Sequence, residues 1–158
     1  MALLKTDYAK GIKPMPVAQG SEIVAVRMEY SLAAALALND VIYMGDLPVD
    51  HVPVDFMVDA DDLDTNGAPA IVLDVGIINA TDNGLSAASD DGGAGWLLSS
   101  NIGQAGGMAR PTTNVLSRVK PTSSSRRVGV HVSTGPATGA TSGKVGLTLL
   151  YRAGHYGG

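Results

Sequence analysis

Residues 50–79 read DHVPVDFMVDADDLDTNGAPAIVLDVGIIN, and their periodicity decides the fold class. In the first half Val52, Val54, Phe56, Val58 and Ala60 fall on one side, with His51, Asp55 and Asp59 on the other. Successive side chains of a strand point to opposite faces of a sheet, so this alternation predicts a strand with one buried face. After the acidic loop Asp61–Gly67, Ile71, Leu73, Val75 and Ile77 align in the same way. The opposite side of that second segment mixes Ala70, Val72, Asp74, Gly76 and Ile78, which predicts cover on both faces. Two strands alone are marginal, so the remaining chain is expected to supply more over the apolar face.

Working outward, EIVAVRMEY (22–30) sets Val24, Val26, Met28 and Tyr30 against Arg27 and Glu29, a further strand. SLAAALALN (31–39) is ambiguous between an irregular extended segment and a short helix; the following Asn39 and Asp40 favour the former. VIYMG (41–45) reads as a strand. RRVGVHVST (126–134) and VGLTLLYRA (145–153) are two more, predicted as a long-loop hairpin or as members of different sheets. Between Asn79 and Pro111 runs a polar stretch with the turn signals TDNG, SDDGGAG and GQAGG, in which Trp96–Ile102 is expected to form a short helix or a tucked loop. TNVLSRVKP (113–121) is expected to add a short edge strand. Residues 1–20, rich in Lys, Gly and Pro without an apolar period, predict an extended N-terminal arm that is mobile until it docks on a neighbour.

Composition agrees with an all-β chain. Of 158 residues, 20 are Gly and 8 Pro, and 13 of the 15 acids are Asp, a turn and cap former, leaving only Glu22 and Glu29. Aromatics are 4%, with Trp96 and Phe56 the sole Trp and Phe, so the core must be aliphatic. The expectation is a β-sandwich or jelly roll of about seven or eight strands over residues 21–158, with long loops and the arm at 1–20. The chain has no cysteine, which excludes disulfide staples and thiolate chemistry. MALLKTDYAKGIKP does not read as a secretory signal, and nothing approaches the roughly 18 apolar residues of a membrane span.

Charge is uneven. The net charge is −4, yet no Lys or Arg lies between Arg27 and Arg110, twelve Asp lie from Asp40 to Asp91, and no acid follows Arg110. A basic face for nucleic acid is one reading, but the basic residues are dispersed and carry no aromatic platform. The favoured reading is that acidic and basic portions meet, within a subunit or between copies. Because Asp59, Asp61, Asp62 and Asp64, like Arg126 and Arg127, flank turns, segregation to opposite ends of the sandwich is expected, and with it electrostatic steering of assembly.

Candidate chemistry is sparse. Asp62, Asp64, Asn66 and Gly67 match the opening of a calcium loop, but the twelfth position is Leu73 where a bidentate Glu would be needed. The favoured alternative is a turn whose side chains bond their own backbone. His51, His131 and His155 are far apart with no metal-ligand spacing. There is no nucleophile elbow and no phosphate loop, and Asp90 and Asp91 sit in a glycine-rich loop where solvation is expected. No catalytic, cofactor or metal residue is therefore assigned, and the chain is read as not an enzyme.

The run VPVDFMVDADDLDTNGAPAIVLDVGIINA (52–80), with GQAGG (103–107) and the closing VGLTLLYR (145–152), resembles head structural proteins of tailed bacteriophages, including decoration (cement) proteins. The most specific block is DADDLDTNGAPAIVLDVG (59–76), and weaker similarity extends from about Glu22 to Tyr151. The resemblance implies a jelly-roll-like sandwich that binds the outside of a capsid built by a major capsid protein, as a dimer or trimer across capsomer junctions. It implies a virion location after assembly in the host cytoplasm, with no nucleic-acid or membrane partner. The alternative is a β-sandwich ligand-binding module on the particle, for example one that binds carbohydrate with the help of calcium; a small trimeric β-barrel enzyme ranks third.

Overall fold

A computed structural model describes residues 1–154. Nine strands occur among them: β1 (Leu3–Lys5), β2 (Val24–Ser31), β3 (Val41–Leu47), β4 (His51–Ala60), β5 (Val72–Ile77), β6 (Leu97–Ser100), β7 (Gly107–Ala109), β8 (Arg126–Thr134) and β9 (Lys144–Ala153). The helical content of the described residues is three single 3-10 turns, at Ser89–Asp91, Ile102–Gln104 and Leu116–Arg118. No helix among the described residues is long and apolar enough to cross a membrane.

The strands form two sheets, β1-β3-β8-β5-β6 and β2-β9-β4-β7. Their pairing is nested. β2 pairs antiparallel with β9, β3 with β8, β4 with β7, and β5 with β6. One long antiparallel ribbon, rolled up so that successive pairs alternate between sheets, gives this order, which is the connectivity of a jelly roll. β1 adds in parallel to β3, outside the nest.

The two segments that flank the acidic loop are thus not partners. β4 lies between β9 and β7, while β5 lies between β8 and β6 in the facing sheet. The loop 61–71 carries the chain across the sandwich, because each segment directs its apolar face into the same core from opposite sides. Phe56, Val58, Ile71, Leu73 and Val75 are all buried there, with Met28, Met44, Trp96, Val130 and Leu147. β8 and β9 likewise lie in different sheets, the second of the two arrangements the sequence left open.

Three local expectations change. In β4 a register shift between Pro53 and Asp55 makes Val54 a bulge. Val54 is exposed as a result, and His51, assigned to the outer face by alternation, is buried. Proline lacks the amide that a regular ladder needs, so its place beside the bulge is the tolerated one. Trp96–Ile102, expected as a short helix or a tucked loop, supplies a strand instead: Trp96 N–H donates to Val75 O (2.7 Å), starting β6 at the edge of the first sheet. Around Leu116, where an edge strand was expected, the chain turns through a 3-10 turn that buries Leu116 and Val119 against the core.

The first 20 residues are not one extended arm, since residues 7–13 form hydrogen-bonded turns, and they are fastened to the domain itself. Ala2 N–H donates to Asp40 Oδ1 (2.7 Å), Val41 N–H donates to Ala2 O (2.8 Å), and the Thr6 hydroxyl donates to Met44 O. Tyr8 and Met15 then pack on the core beside Gly45, where a Cβ would meet Met28 Sδ at 2.6 Å and Met15 Sδ at 3.1 Å. The segment therefore plugs the open side between the sheets, and the closeness of the two sulfurs explains the glycine.

Candidate functional site

The acidic loop is the strongest chemical signal in the sequence, and the structure gives it a structural task. Asp64 is buried, and its carboxylate faces inward. Oδ2 accepts the N–H groups of Ala70 (2.7 Å), Ala137 (2.8 Å) and Ile71 (3.2 Å); Oδ1 accepts those of Thr138 (2.8 Å) and Asn66 (3.4 Å). Burial alone would push this carboxyl up, but the hydrogen bonds from Ala70, Thr138, Ala137 and Ile71 outweigh it and hold the group well below the usual carboxylate range. Asp64 thereby ties the loop after β4 to the loop between β8 and β9.

The neighbours behave alike. Asp62 Oδ1 accepts the N–H of Asp64 (3.1 Å), and Asn66 Oδ1 accepts that of Ala68 (2.9 Å). Asn66 Nδ2 donates to Thr138 Oγ1 (2.9 Å), and Asp61 Oδ2 accepts Lys144 N–H (2.8 Å). The first two are side chains bonding nearby backbone, the turn chemistry that Asp and Asn favour, and the last two tie the loop to the segment between β8 and β9 and to the first residue of β9. A hard cation needs several oxygens converging with free lone pairs. Here those of Asp64 are spent on amides, and Leu73 lies in the core. No group of three or more His, Cys, Asp or Glu that could hold a metal ion occurs among the described residues.

A second cluster was not anticipated. Arg126, from the start of β8, is nearly buried and donates through Nη1 to Asp91 Oδ1 (3.0 Å) and Asp90 O (3.0 Å), and through Nη2 to His51 O (3.1 Å). Asp91 also accepts the Ser86 hydroxyl (2.6 Å), so it is an internal anchor and not a solvated loop acid. Trp96 is wholly buried, and its indole N–H donates to Asp91 O (3.2 Å). It is therefore no platform for a sugar. His51 completes the cluster: Nδ1 lies 2.7 Å from Val49 O, and Nε2 accepts the N–H of Ala18 (3.0 Å). Its ring meets that of Tyr151 edge-on at 5.6 Å. The Tyr151 hydroxyl donates to Pro16 O, and burial, with a smaller contribution from Tyr8, pushes it up to about 12. His131 lies 4.0 Å from Asp74 on the outer side of the other sheet, well apart from His51 in the pairing order, and His155 lies outside the described residues. One sequence signal did mark the second cluster: Arg126 is a charge at the start of an otherwise apolar strand.

The charges of the two halves meet inside one subunit. Arg27 of β2 reaches over β9 to Asp59 of β4, and Gly146 leaves the space, because a Cβ there would run into the guanidinium. Lys144 Nζ bonds Glu29 (2.9 Å), holding that carboxyl below its usual range with help from Arg27. Arg110 pairs with Asp55, Lys120 with Asp90 (3.4 Å), and Arg126 with Asp91. Of the charges that flank turns, Asp59 thus pairs with Arg27 and Arg126 with Asp91 inside one subunit, while the Asp61–Asp64 loop meets the loop after β8, at the other end of that strand from Arg126.

No family model matches the chain, and no curated protein matches it. Solved structures do. Over 97% of this chain and 99% of the other, it is 40% identical to a chain in the structure described as the capsid of Ralstonia phage GP4, with a TM-score of 0.84. A chain in the capsid asymmetric unit of cyanophage Pam1 is 25% identical over 89% of this chain and 94% of its own length, with a TM-score of 0.61. Both similarities span the whole sandwich, so they concern the entire jelly roll and not a single loop.

Proposed function

Given that the chain belongs to the family of phage capsid proteins that includes this Ralstonia phage GP4 component, we propose that it is a non-enzymatic decoration (cement) protein. It binds the outer surface of a shell built by a major capsid protein and stabilises capsomer junctions as a homo-oligomer. The observation that carries the reading is the match of nearly the full length of both chains at 40% identity. The matched capsid component is thus about as long as this one, a single small sandwich.

The site geometry supports the same reading. The polar groups that a sequence reader would assign to chemistry are consumed in holding loops together: Asp64 by amides, Asp91 by Arg126, His51 by Ala18. A rigid, loop-tied sandwich is what a bracing role needs, since an interface presented by mobile loops loses affinity to ordering entropy. The test is sedimentation with phage heads that lack the protein. Added protein is expected to pellet with the heads and to raise the temperature at which they release DNA. Protein that stays in the supernatant, with heads no more heat-resistant than before, overturns the proposal.

A further inference from the structure

Residues 14–23 run from the turns of the N-terminal segment to the start of β2, past the end of the sandwich where β9 finishes and β4 begins. Little in this stretch fastens itself. Val17 and Ile23 are exposed, and the Gln19–Glu22 turn bonds internally, Gln19 N–H to Glu22 Oε1 (2.7 Å) and Glu22 N–H to Gln19 O (3.2 Å). The fastening comes from the domain: Met15 packs on the core, the Tyr151 hydroxyl donates to Pro16 O, and His51 takes the N–H of the buried Ala18. Tyr151, pushed up to about 12 by burial with a smaller contribution from Tyr8, stays neutral below that range. An imidazole is the side chain that changes charge between about pH 5 and pH 8.

The bonds of the His51 ring fix where its hydrogen sits. Val49 O can only accept, so Nδ1, 2.7 Å away, carries the hydrogen. Nε2 is then bare and accepts the Ala18 N–H at 3.0 Å. A second proton must go on Nε2, where it would face the amide hydrogen, donor against donor. Ala18 O lies 3.3 Å from the same nitrogen, so a charged ring can bond there only by giving up the amide. That amide is buried, and a buried donor left unsatisfied is costly. The surrounding charges do not favour a cation on the ring. Arg126 of β8 brings a guanidinium to His51 O (3.1 Å), with Asp91 as its counter-ion (3.0 Å). On β9, Tyr151 meets the ring edge-on and Arg152 stands opposite Val52; Asp50, next in the chain, is exposed. Among the described residues His51 forms no ion pair.

We propose that His51 is an acid-sensitive latch: neutral, it holds residues 14–23 against the sandwich, and a proton on Nε2 releases them while the two sheets stay folded. The latched form binds one proton fewer, so latching weakens as pH falls. Residues 3–6 remain tied through β1 and Thr6, and Val24 through β2, so the released stretch is a loop closed at both ends. The latch belongs to the subunit alone and requires nothing of the shell.

The test is NMR on the purified full-length protein between about pH 7.5 and about pH 5, where histidines gain a proton and carboxylates such as Asp64 remain charged. At the upper end the ring nitrogen shifts of His51 are expected to show a protonated Nδ1 and a bare Nε2. As Nε2 gains its proton, the Ala18 amide should exchange about tenfold or more faster than its intrinsic pH dependence requires, while the amides of β8 and β9 keep their protection. In His51→Gln, which cannot titrate, Ala18 exchange should follow the intrinsic dependence alone. A ring that carries its hydrogen on Nε2, or that is still neutral at about pH 5, overturns the proposal. So does a protonated Nε2 with Ala18 still protected, or a pH response that persists in His51→Gln. Loss of protection shared by β8 and β9 would mean global unfolding in place of a latch and overturns it too.

Discussion

Asp64 shows how much of the apparent chemistry of this chain is architecture. Its folded-state pKa lies below the ordinary value of 3.8, so it contributes stability above that value. The contribution is complete above about pH 5 and is lost as pH falls below 4 toward the folded pKa. Asp64→Asn, which places donors against the amides of Ala137 and Thr138, is expected to lower the melting temperature at pH 7 and to flatten the wild type's decline in stability between pH 4 and pH 2. Urea melts across that range check both. Phe56 tests the core at the same scale. It is the only Phe, fully buried, with its ring centroid 6.1 Å from that of Trp96. Phe56→Ala should cost roughly 3–5 kcal/mol of unfolding free energy. A loss below about 1 kcal/mol would show that β4 does not present this face to the core. Arg126→Ala removes a nearly buried cation from Asp91, Asp90 O and His51 O and should cost roughly 1–3 kcal/mol. Thermal melts of that variant separate an internal anchor from a surface charge, which would cost almost nothing.

At the scale of elements, the N-terminal segment behaves as a strap. Thr6 and Ala18 are buried, Leu4, Tyr8 and Met15 pack on the core, and Ala18 and Pro16 bond His51 and Tyr151. Deleting residues 1–18 would uncover Gly45 and the sulfur of Met28. We expect a fall in melting temperature of at least about 6 °C by calorimetry, since a few partly buried side chains supply roughly 3 kcal/mol or more. An unchanged melting temperature would mean that the strap stabilises nothing in isolation. The sequence concealed this docking because the segment has no period: beyond the three-residue β1, its contacts are single residues, each fitted to a different feature of the domain. The six longer strands were legible, as period two survives wherever one face is buried. β6 and β7 were not, because four and three residues are too few to carry a pattern. The adjacency of β4 and β5 misled for a different reason. Alternation reports which face is buried, not which sheet supplies the neighbour, and Asp64, which fixes the crossing, bonds to Ala137 and Thr138 more than 70 residues away. The calcium-like spacing was legible as a pattern, but only the inward turn of its second carboxylate decides its use.

For the whole molecule, the nested pairing fixes the order in which the chain can close. Val24 pairs with Tyr151, whereas Leu73 pairs with Ser100 in the innermost pair. Loop-closure entropy grows with the logarithm of loop length, so the outer pair costs roughly 1–2 kcal/mol more to close from an open chain. Closing the inner pairs first shortens the effective loop for each pair outside them. The barrier is therefore expected to be crossed with β5, β6 and their neighbour β8 in contact and with the β2–β9 pair still open. Chains dominated by such distant pairings fold slowly, in milliseconds to seconds or longer. Two core valines separate this order from its reverse: Val75 on β5 and Val26 on β2 are both buried. Val75→Ala should slow refolding in stopped-flow experiments, because its contacts are present at the barrier. Val26→Ala should leave the refolding rate nearly unchanged and speed unfolding instead. If Val26→Ala slows refolding as strongly as Val75→Ala, the outer pair forms at the barrier too, and the ribbon rolls up as a unit instead of closing from the inside.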